Sequence, residues 1–208
     1  MGNKSYFHFL LDAGHGGMVN GHYTTAPRKM FKFSDGTVIY EGVVNRQIIN
    51  KLVVLLQRAG IDYSLIHDEG DDLSLPVRVS RADNAFRKDP RCIFLSIHSN
   101  AGGGSGFEIF TSKGQTKSDK IAQIFCDVYR KNFPDFIMRI DAKDGDDDKE
   151  EDFYVLRKTD CPALLVENLF FDNHREALYL LSEKGQQQIA ECLLECIQVC
   201  ENFKPIKV

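Results

Sequence analysis

The chain has 208 residues and a formal net charge of −4 at pH 7, a length that suits one domain with a sizeable apolar core. Its lysine and arginine residues are dispersed, so the composition gives no basic patch of the kind that binds nucleic acid. No apolar run approaches the roughly 18 residues of a membrane-spanning helix, which argues against membrane insertion.

Short apolar runs alternate with amphipathic patterns along most of the chain. Short runs rich in Phe, Ile, Leu and Val between turn residues are typical of strands buried on both faces, and an apolar stripe of period 3.6 predicts a helix. The predicted elements are, in order, a strand at Phe7–Leu11, hairpin arms at Met30–Phe33 and Thr37–Tyr40, a helix from Glu41 that ends at Gly60, a strand at Ile61–His67, a helix from Ser74 to Phe86, strands at Cys92–Ile97 and Phe107–Thr111, a helix at Ser118–Asn132, a strand at Ala163–Val166, and helices at Asn173–Leu181 and Ser182–Asn202. This order predicts a single α/β domain with a mainly parallel twisted sheet, helices on both faces, and one edge open to an antiparallel strand.

The segment 134–152 interrupts this pattern with Pro134 and an acidic run from Asp141 to Asp152. The run does not fit the spacing of a calcium-binding loop, because Lys143 and Gly145 fall where oxygen ligands are required. Since the run also lacks an apolar stripe, we expect a mobile surface loop or flap.

The six cysteines form no C-x-x-C pair. Cys192, Cys196 and Cys200 recur every four residues and would lie on one face of the last helix. We interpret them as small buried thiols, rather than as a metal site or a disulfide framework.

Three of the predicted strands end next to side chains that bind metals or move protons. The strand at 7–11 leads to His15, the strand at 92–97 leads to His98, and the strand at 163–166 leads to Glu167. The carboxyl ends of parallel strands meet at one edge of a sheet, where sites form in open α/β folds. Catalytic zinc takes three protein ligands from His, Glu, Asp or Cys and leaves a fourth position for water. The pattern therefore indicates a metal-hydrolase site with the two histidines as ligands.

Glu41 fits best as the third ligand, because it stands alone at the start of the first helix. Glu167 would then lie in a crevice of low dielectric and transfer protons. His22 remains as a substitute ligand or a substrate contact. Each residue also has a simpler interpretation: His15 and His98 as turn residues, Glu41 as a solvated helix-start carboxylate, and Glu167 as a cap or an ion-pair partner.

Six features of the chain carry a family resemblance, and they occur in the family's order. They are L-D-A-G-H-G-G at 11–17, Glu41 at a helix start, L-P-V-R-V at 75–79, F-L-S-I-H-S-N-A at 94–101, G-F-E-I-F-T at 106–111 and V-L-R-K-T-D-C-P-A-L-L-V-E-N-L-F at 155–170. On these residues the chain resembles the zinc-dependent N-acetylmuramoyl-L-alanine amidases of bacterial and phage cell-wall lysis. Two features depart from the family pattern: Asp83 follows Ala82 where asparagine is usual, and the stretch between His15 and Glu41 is long.

The resemblance implies an amidase catalytic domain over residues 1–208, with the phosphorylase/hydrolase-like α/β fold. It implies Zn²⁺ held by His15, Glu41 and His98, with Glu167 as the catalytic acid/base. The implied reaction is hydrolysis of the amide between N-acetylmuramic acid and L-alanine of the peptidoglycan stem peptide. Asn100 would either orient the substrate or stabilise the turn beyond His98.

Two rival functions stay open at this point. One is a zinc amidohydrolase or carboxypeptidase for small N-acyl amino acids or peptides, in which Arg78, Arg81 or Arg157 would hold the substrate carboxylate. The other is a catalytically inactive wall-binding module. We expect peptidoglycan as the partner and a monomeric protein. No signal peptide is recognised in the sequence, so we expect a protein made in the cytoplasm that acts on the cell wall.

Overall fold

A six-stranded sheet between two helical layers organises the protein, whose computed structural model describes residues 5–67, 69–143 and 145–202. The strands are β1 His8–Ala13, β2 Met18–Val19, β3 His22–Tyr23, β4 Met30–Lys32, β5 Val38–Tyr40, β6 Asp62–Leu65, β7 Cys92–Asn100, β8 Glu108–Thr111, β9 Lys149–Glu150 and β10 Ala163–Phe170. The helices are α1 Glu41–Ala59, α2 Leu75–Lys88, α3 Lys117–Asn132, α4 Tyr154–Lys158, α5 His174–Leu181 and α6 Glu183–Asn202.

The strand order in the main sheet is β6-β1-β7-β10-β8-β9. The neighbouring strands β6, β1, β7 and β10 are mutually parallel. Strand β8 is antiparallel to β10, and β9 is parallel to β8. The predicted α/β class and mainly parallel sheet are therefore confirmed. The carboxyl ends of β1, β7 and β10 lie side by side, as the sequence pattern requires for a shared site.

The two faces of the sheet bury different sets of side chains. Leu11, Leu95 and Val166 point to one face, where they pack in a large core with α1, α3, α5 and α6. Leu10 and Leu165 point to the other face, where they form a smaller core with α2 and α4. Successive side chains of a strand point to opposite faces of the sheet. The position of a polar residue at the end of a strand therefore decides to which face it points.

Helix α1 sets the position of Glu41. Its apolar stripe, including Val44, Ile48 and Leu52, is buried against the large core, which fixes the rotation of the helix. Gly60 ends the helix in the left-handed conformation, with φ 68°, as a glycine at this position commonly does. The first residue of the helix therefore lies at the carboxyl edge of the sheet.

The long stretch before α1 folds into two small hairpins. The predicted hairpin is confirmed as β4 paired with β5. The sequence analysis did not identify the other hairpin, in which Met18 pairs with Tyr23 and Val19 pairs with His22. Short two-residue strands of this kind carry too weak an alternation to be recognised from sequence.

The segment 134–152 lies largely at the surface, as predicted, but the expectation of a mobile loop is wrong for the parts of it that are docked on the sheet. Met138 forms a bridge with Phe107, and Lys149–Glu150 extends the sheet as β9. Asp148 is only 1% exposed, and it accepts a hydrogen bond of 2.6 Å from the hydroxyl of Thr111. The acidic run can dock on the sheet because residues of β8, which are distant in sequence, form hydrogen bonds with it.

The thiols of all six cysteines are free and buried. Cys192, Cys196 and Cys200 face the large core from α6, which confirms their predicted place on one face of that helix. Among the helices that the structure describes, none is both long enough and apolar enough to cross a bilayer.

Asp148→Asn is expected to stabilise the protein at neutral and alkaline pH. Burial, aided by the charge of Asp146 and opposed by the hydrogen bond from Thr111, raises the pKa of Asp148 from its ordinary value of 3.8 to about 7. The folded protein then binds more protons than the unfolded chain between about pH 4 and about pH 7, so stability falls as pH rises through this window.

Denaturant unfolding at pH 4 and pH 8 measures this effect. The variant should gain at least about 1 kcal/mol over the parent at pH 8 and little at pH 4, because one pKa unit corresponds to about 1.4 kcal/mol. Glu151→Gln, an exposed neighbour, is the control and should change neither value. Equal stability of the Asp148→Asn variant and the parent at pH 8 would contradict a docked Asp148 whose pKa is raised by burial.

Candidate metal centre

Three side chains from three different elements converge at the carboxyl edge of the sheet. His15 follows β1, Glu41 begins α1 and His98 lies near the end of β7. Glu41 Oε1 lies 3.0 Å from His98 Nδ1 and 3.3 Å from His15 Nε2, and the two imidazole rings are perpendicular with centroids 4.9 Å apart. One ligand atom from each residue falls within 4.8 Å of the others. The structure thus brings together the three residues that the sequence analysis selected as ligands.

The chemistry of this cluster fits a metal ion such as zinc. Glu41 is fully buried, yet its Oε2 has no hydrogen-bond partner, and neither has the buried Nε2 of His15. Buried polar atoms without partners are rare and call for a specific explanation. Two imidazoles and one carboxylate are a donor set that catalytic zinc uses. Burial lowers the pKa of His15 despite its contact with Glu41, which favours the neutral imidazole that a metal needs.

The backbone around His15 is shaped to let the two imidazoles approach. A Cβ atom on Gly14 would lie 2.3 to 2.5 Å from ring atoms of His98, so only glycine leaves room for that ring. His15 itself has φ 64°, a left-handed conformation that non-glycine residues seldom adopt. The amide of Asn45 donates to the Gly14 carbonyl at 3.3 Å, and the hydroxyl of Ser99 donates to Asn45 at 3.3 Å.

A buried ion pair between Arg78 and Asp12 stabilises the turn that carries His15. Arg78 donates to Asp12 Oδ1 at 2.6 Å, to the Ala13 carbonyl at 2.7 Å and to the His15 carbonyl at 3.2 Å. Asp12 also accepts a hydrogen bond of 2.7 Å from Ser96. Burial would raise the pKa of Asp12, but its hydrogen bonds and the Arg78 charge hold that pKa well below its usual range. This structural role of Asp12 and Arg78 was not predicted from the sequence.

Glu167 lies beside the cluster in the neighbouring strand. Its Cα pairs with that of His98 across β10 and β7, so both side chains project to the face that α2 and α4 cover. Its buried Oε2 has no hydrogen-bond partner. Burial raises the pKa of Glu167 to about 7, with the nearby Glu41 adding to the shift and His98 opposing it. A carboxyl group with such a pKa can both accept and return a proton near neutral pH.

These residues open onto a cavity of about 320 Å³. Its polar wall includes His15, His98 and Glu167, and its apolar wall comes from Leu75 and from the start of α4. This apolar wall was not predictable from the sequence, because α4 has only five residues and no measurable periodicity. The further lining residues are Asp12, Lys29, Asp72, Arg78, Asn100, Phe153, Tyr154, Val155 and Leu165.

Asn100 lines the cavity, but the protein itself uses both ends of its side-chain amide. The amide nitrogen donates to Glu108, and the amide oxygen accepts from the backbone of Ala101 at 2.8 Å. This arrangement favours turn stabilisation, and the substrate contact stays a prediction. His22 is exposed in β3 and belongs to neither the ligand cluster nor the cavity lining.

The three arginines of the small-substrate hypothesis are all engaged elsewhere. Arg78 is buried in the Asp12 pair, Arg81 donates to Glu69 at 2.8 Å, and Arg157 lies 2.6 Å from Asp152. Of the three, only Arg78 lines the cavity.

Comparison with known proteins gives this site its family. The model of the N-acetylmuramoyl-L-alanine amidase family matches residues 9–199, a range that includes the three cluster residues and Glu167. The chain belongs to the N-acetylmuramoyl-L-alanine amidase family. The fold class and the family predicted from sequence are thereby confirmed.

Individual relatives agree with the family assignment. The chain is 32% identical over 203 residues to an endolysin of Bacillus phage SPP1, and 30% identical over 182 residues to the N-acetylmuramoyl-L-alanine amidase CwlM of Bacillus licheniformis. These alignments cover 93% and 87% of the chain but only 66% and 63% of the two relatives. A crystal structure of N-acetylmuramoyl-L-alanine amidase from Clostridium difficile 630 superposes with a TM-score of 0.74 at 23% identity, over 97% of the chain and 100% of that structure, and so shares the fold.

Gly14→Ala is expected to weaken metal binding while the protein stays folded. The new methyl group would occupy the space of the His98 ring and push the imidazole out of the cluster. A change that misorients a ligand typically costs about 10- to 100-fold in metal affinity. Zinc affinity measured by competition with a chromophoric chelator tests this, beside a far-ultraviolet circular dichroism spectrum as the folding check.

Gly17→Ala is the matched control, since a Cβ there meets the flexible side chain of Arg46 at 3.1 Å and the Gly70 carbonyl oxygen at 3.6 Å, an ordinary contact distance. Its zinc affinity should equal that of the parent. Parental zinc affinity in a folded Gly14→Ala variant would show that His98 is not held in the cluster by this close approach.

Proposed function

We propose that this chain is a zinc-dependent peptidoglycan hydrolase that cleaves the amide between N-acetylmuramic acid and L-alanine of the stem peptide. The observation that carries the proposal is that His15, His98 and Glu167 line one cavity, with Glu41 clustered beside the two histidines, in a chain of this family. Because the alignments leave about a third of the listed relatives' length uncovered, the reaction is proposed for the catalytic domain alone.

His15, Glu41 and His98 would hold the zinc ion. When bound, zinc would supply Lewis acidity, polarising the scissile carbonyl and lowering the pKa of a water molecule. The three side chains come from the turn after β1, from α1 and from β7, so their positions depend on the packed sheet and not on one flexible loop. A bound cation would also lower the pKa of the neighbouring Glu167 carboxyl from its raised value.

Glu167 would carry the proton during hydrolysis. Its carboxylate accepts a proton from the attacking water and then delivers it to the departing amide nitrogen of alanine, which cannot leave as an anion. The carboxyl group suits both steps, because its Oε2 is buried and has no other hydrogen-bond partner. Packing of Glu167 against the end of β7 holds it next to His98 in the same row of side chains.

The cavity has a polar wall and an apolar wall, which fit a substrate that carries both polar and apolar groups. Leu75, Phe153 and Tyr154 give an apolar and aromatic wall that can pack against a sugar ring or an alanine methyl group. Asn100 stands at the mouth and would either contact the glycopeptide or keep the turn after His98 in place. The partner would be peptidoglycan, so the protein would act at the cell wall. We propose that it acts there as a monomer.

End-group analysis of digested cell wall tests the proposed reaction. Purified peptidoglycan treated with the zinc-loaded protein should yield new N-terminal alanine and no new reducing sugar ends. N-acyl amino acids should be hydrolysed far more slowly. Hydrolysis of the small substrates without any release from peptidoglycan would instead identify a small-molecule amidohydrolase, and zinc-loaded protein that binds wall but cleaves neither substrate would be a binding module.

Glu167→Gln is expected to keep zinc and fold but to lose nearly all hydrolysis. The amide preserves the shape of the side chain, yet it cannot cycle a proton, and general acid/base groups contribute about 10²- to 10⁴-fold in rate. The measurement is the rate of N-terminal alanine release per zinc-loaded, folded molecule. Glu191→Gln, on the exposed side of α6, is the control and should keep parental activity. Activity of Glu167→Gln within a few-fold of the parent would remove Glu167 from the mechanism.

A further inference from the structure

Lys29 brings an exposed ammonium group into the proposed catalytic cavity. Among the described residues that line this cavity, the lysine and arginine side chains are those of Lys29 and Arg78. The guanidinium of Arg78 is buried and engaged by Asp12 and by backbone carbonyls. The Lys29 side chain is 47% exposed, and its Nζ lies 3.7 Å from Glu41 Oε2. Lys29 is therefore the lining cation that a ligand can reach.

The backbone of Lys29 is fixed to the start of α1. Its carbonyl accepts hydrogen bonds of 3.0 Å from the Glu41 amide and of 3.0 Å from the Tyr23 hydroxyl. That hydroxyl in turn accepts a hydrogen bond of 3.1 Å from the amide of Gly42. Lys29 has φ 59°, in the left-handed region where glycine or asparagine would be less strained. Strained residues of this kind cluster at functional sites, which makes the choice of lysine here informative.

With a divalent cation bound beside Glu41, the positive charges around this carboxylate would exceed its negative charge. Lys29 shares the carboxylate of Glu41 with the imidazoles of His15 and His98. A divalent cation held by those three residues would repel the ammonium group across a short distance. An oxygen anion placed between the two cations would remove this repulsion and would be attracted by both.

Amide hydrolysis creates such an anion at the scissile carbon. When the water oxygen forms its bond to that carbon, the π electron pair of the carbonyl moves onto the carbonyl oxygen. The pair returns as the carbon–nitrogen bond breaks, and the nitrogen leaves as a neutral amine with the proton that Glu167 delivers. The other product is a carboxylic acid, which ionises to the carboxylate of the muramoyl group.

We propose that the Lys29 ammonium stabilises the oxyanion that develops on the scissile carbonyl and then contacts the carboxylate product. This assignment rests on the proposed function and adds a catalytic residue to it. Lys29 lies in the stretch between His15 and Glu41, so the role belongs to the hairpin insertion of this chain.

Kinetics of Lys29 variants give the first test. Preorganised oxyanion donors contribute about 10²- to 10³-fold in kcat, and the partial exposure of Lys29 puts its share near the lower end. Lys29→Met should therefore lower kcat about 100-fold, whereas Lys29→Arg, which keeps the charge, should recover much of the rate. Lys32→Met is the control, because Lys32 is exposed on the same hairpin and does not line the cavity. Full kcat with only a raised KM in Lys29→Met would show that Lys29 holds a remote part of the substrate, against the proposal.

Anion binding to the zinc-loaded protein gives a readout that needs no turnover. Titration calorimetry with N-acetylmuramic acid, and separately with acetate, should show at least tenfold weaker binding to Lys29→Met than to the parent. The binding should also weaken with added salt, as a half-exposed charge requires. Zinc affinity of Lys29→Met should equal or exceed that of the parent, because a repelling charge is gone.

The two probes separate this proposal from the proposed function. Lys29-dependent acetate binding in a protein that releases no alanine from peptidoglycan would support the anion site and contradict the function. Cleavage of peptidoglycan with product binding and kcat unchanged in Lys29→Met would contradict the Lys29 assignment and leave the function standing. Lower zinc affinity in that variant, with unchanged anion binding, would reduce Lys29 to a structural partner of Glu41.

Discussion

The buried carboxylate of Glu41 is the constraint on which the rest of the site depends. It has no exposure to water, so neighbouring groups must balance its charge. His15, His98, Lys29 and the Ser99 amide surround it, and the amino end of α1 favours a negative charge there. Burial alone would raise the pKa of Glu41, but its close contacts with the two histidines outweigh burial and hold that pKa well below its usual range. A metal ion would satisfy the carboxylate oxygen that remains without a hydrogen bond.

A second set of contacts keeps the groups around Glu41 in place. Arg78 ties the turn that carries His15 to the carboxyl end of β1, through Asp12 and two backbone carbonyls. On the opposite side, Asn45 in α1 bonds the Gly14 carbonyl. Loss of one member of a buried ion pair typically costs about 3–5 kcal/mol, because it leaves an uncompensated charge. The candidate metal centre is therefore preorganised by the same packing that stabilises the sheet.

Much of the fold was predictable because its signals are local. The stripe of α1 and its ending at Gly60 can be identified from a short window of sequence, as can the apolar runs that became β1, β7 and β10. The positions of His15, His98 and Glu167 just after three predicted strands also indicated that these side chains would lie close together. The docking of Asp148 was not predictable, because it depends on Thr111, which is 37 positions away in sequence. The position of Lys29 beside Glu41 likewise depends on the hydrogen bonds that its carbonyl accepts from Glu41 and Tyr23, which the sequence pattern does not show.

The most direct test of the account is a zinc titration of chelator-treated protein acting on purified peptidoglycan. The account predicts no release of N-terminal alanine from the metal-free protein, followed by a rise that is linear in added zinc and ends at one equivalent per chain. A Glu41→Gln variant should need far more zinc to reach its own plateau. Full alanine release from protein shown to be free of metal, or a plateau reached without zinc uptake, would contradict the central claim.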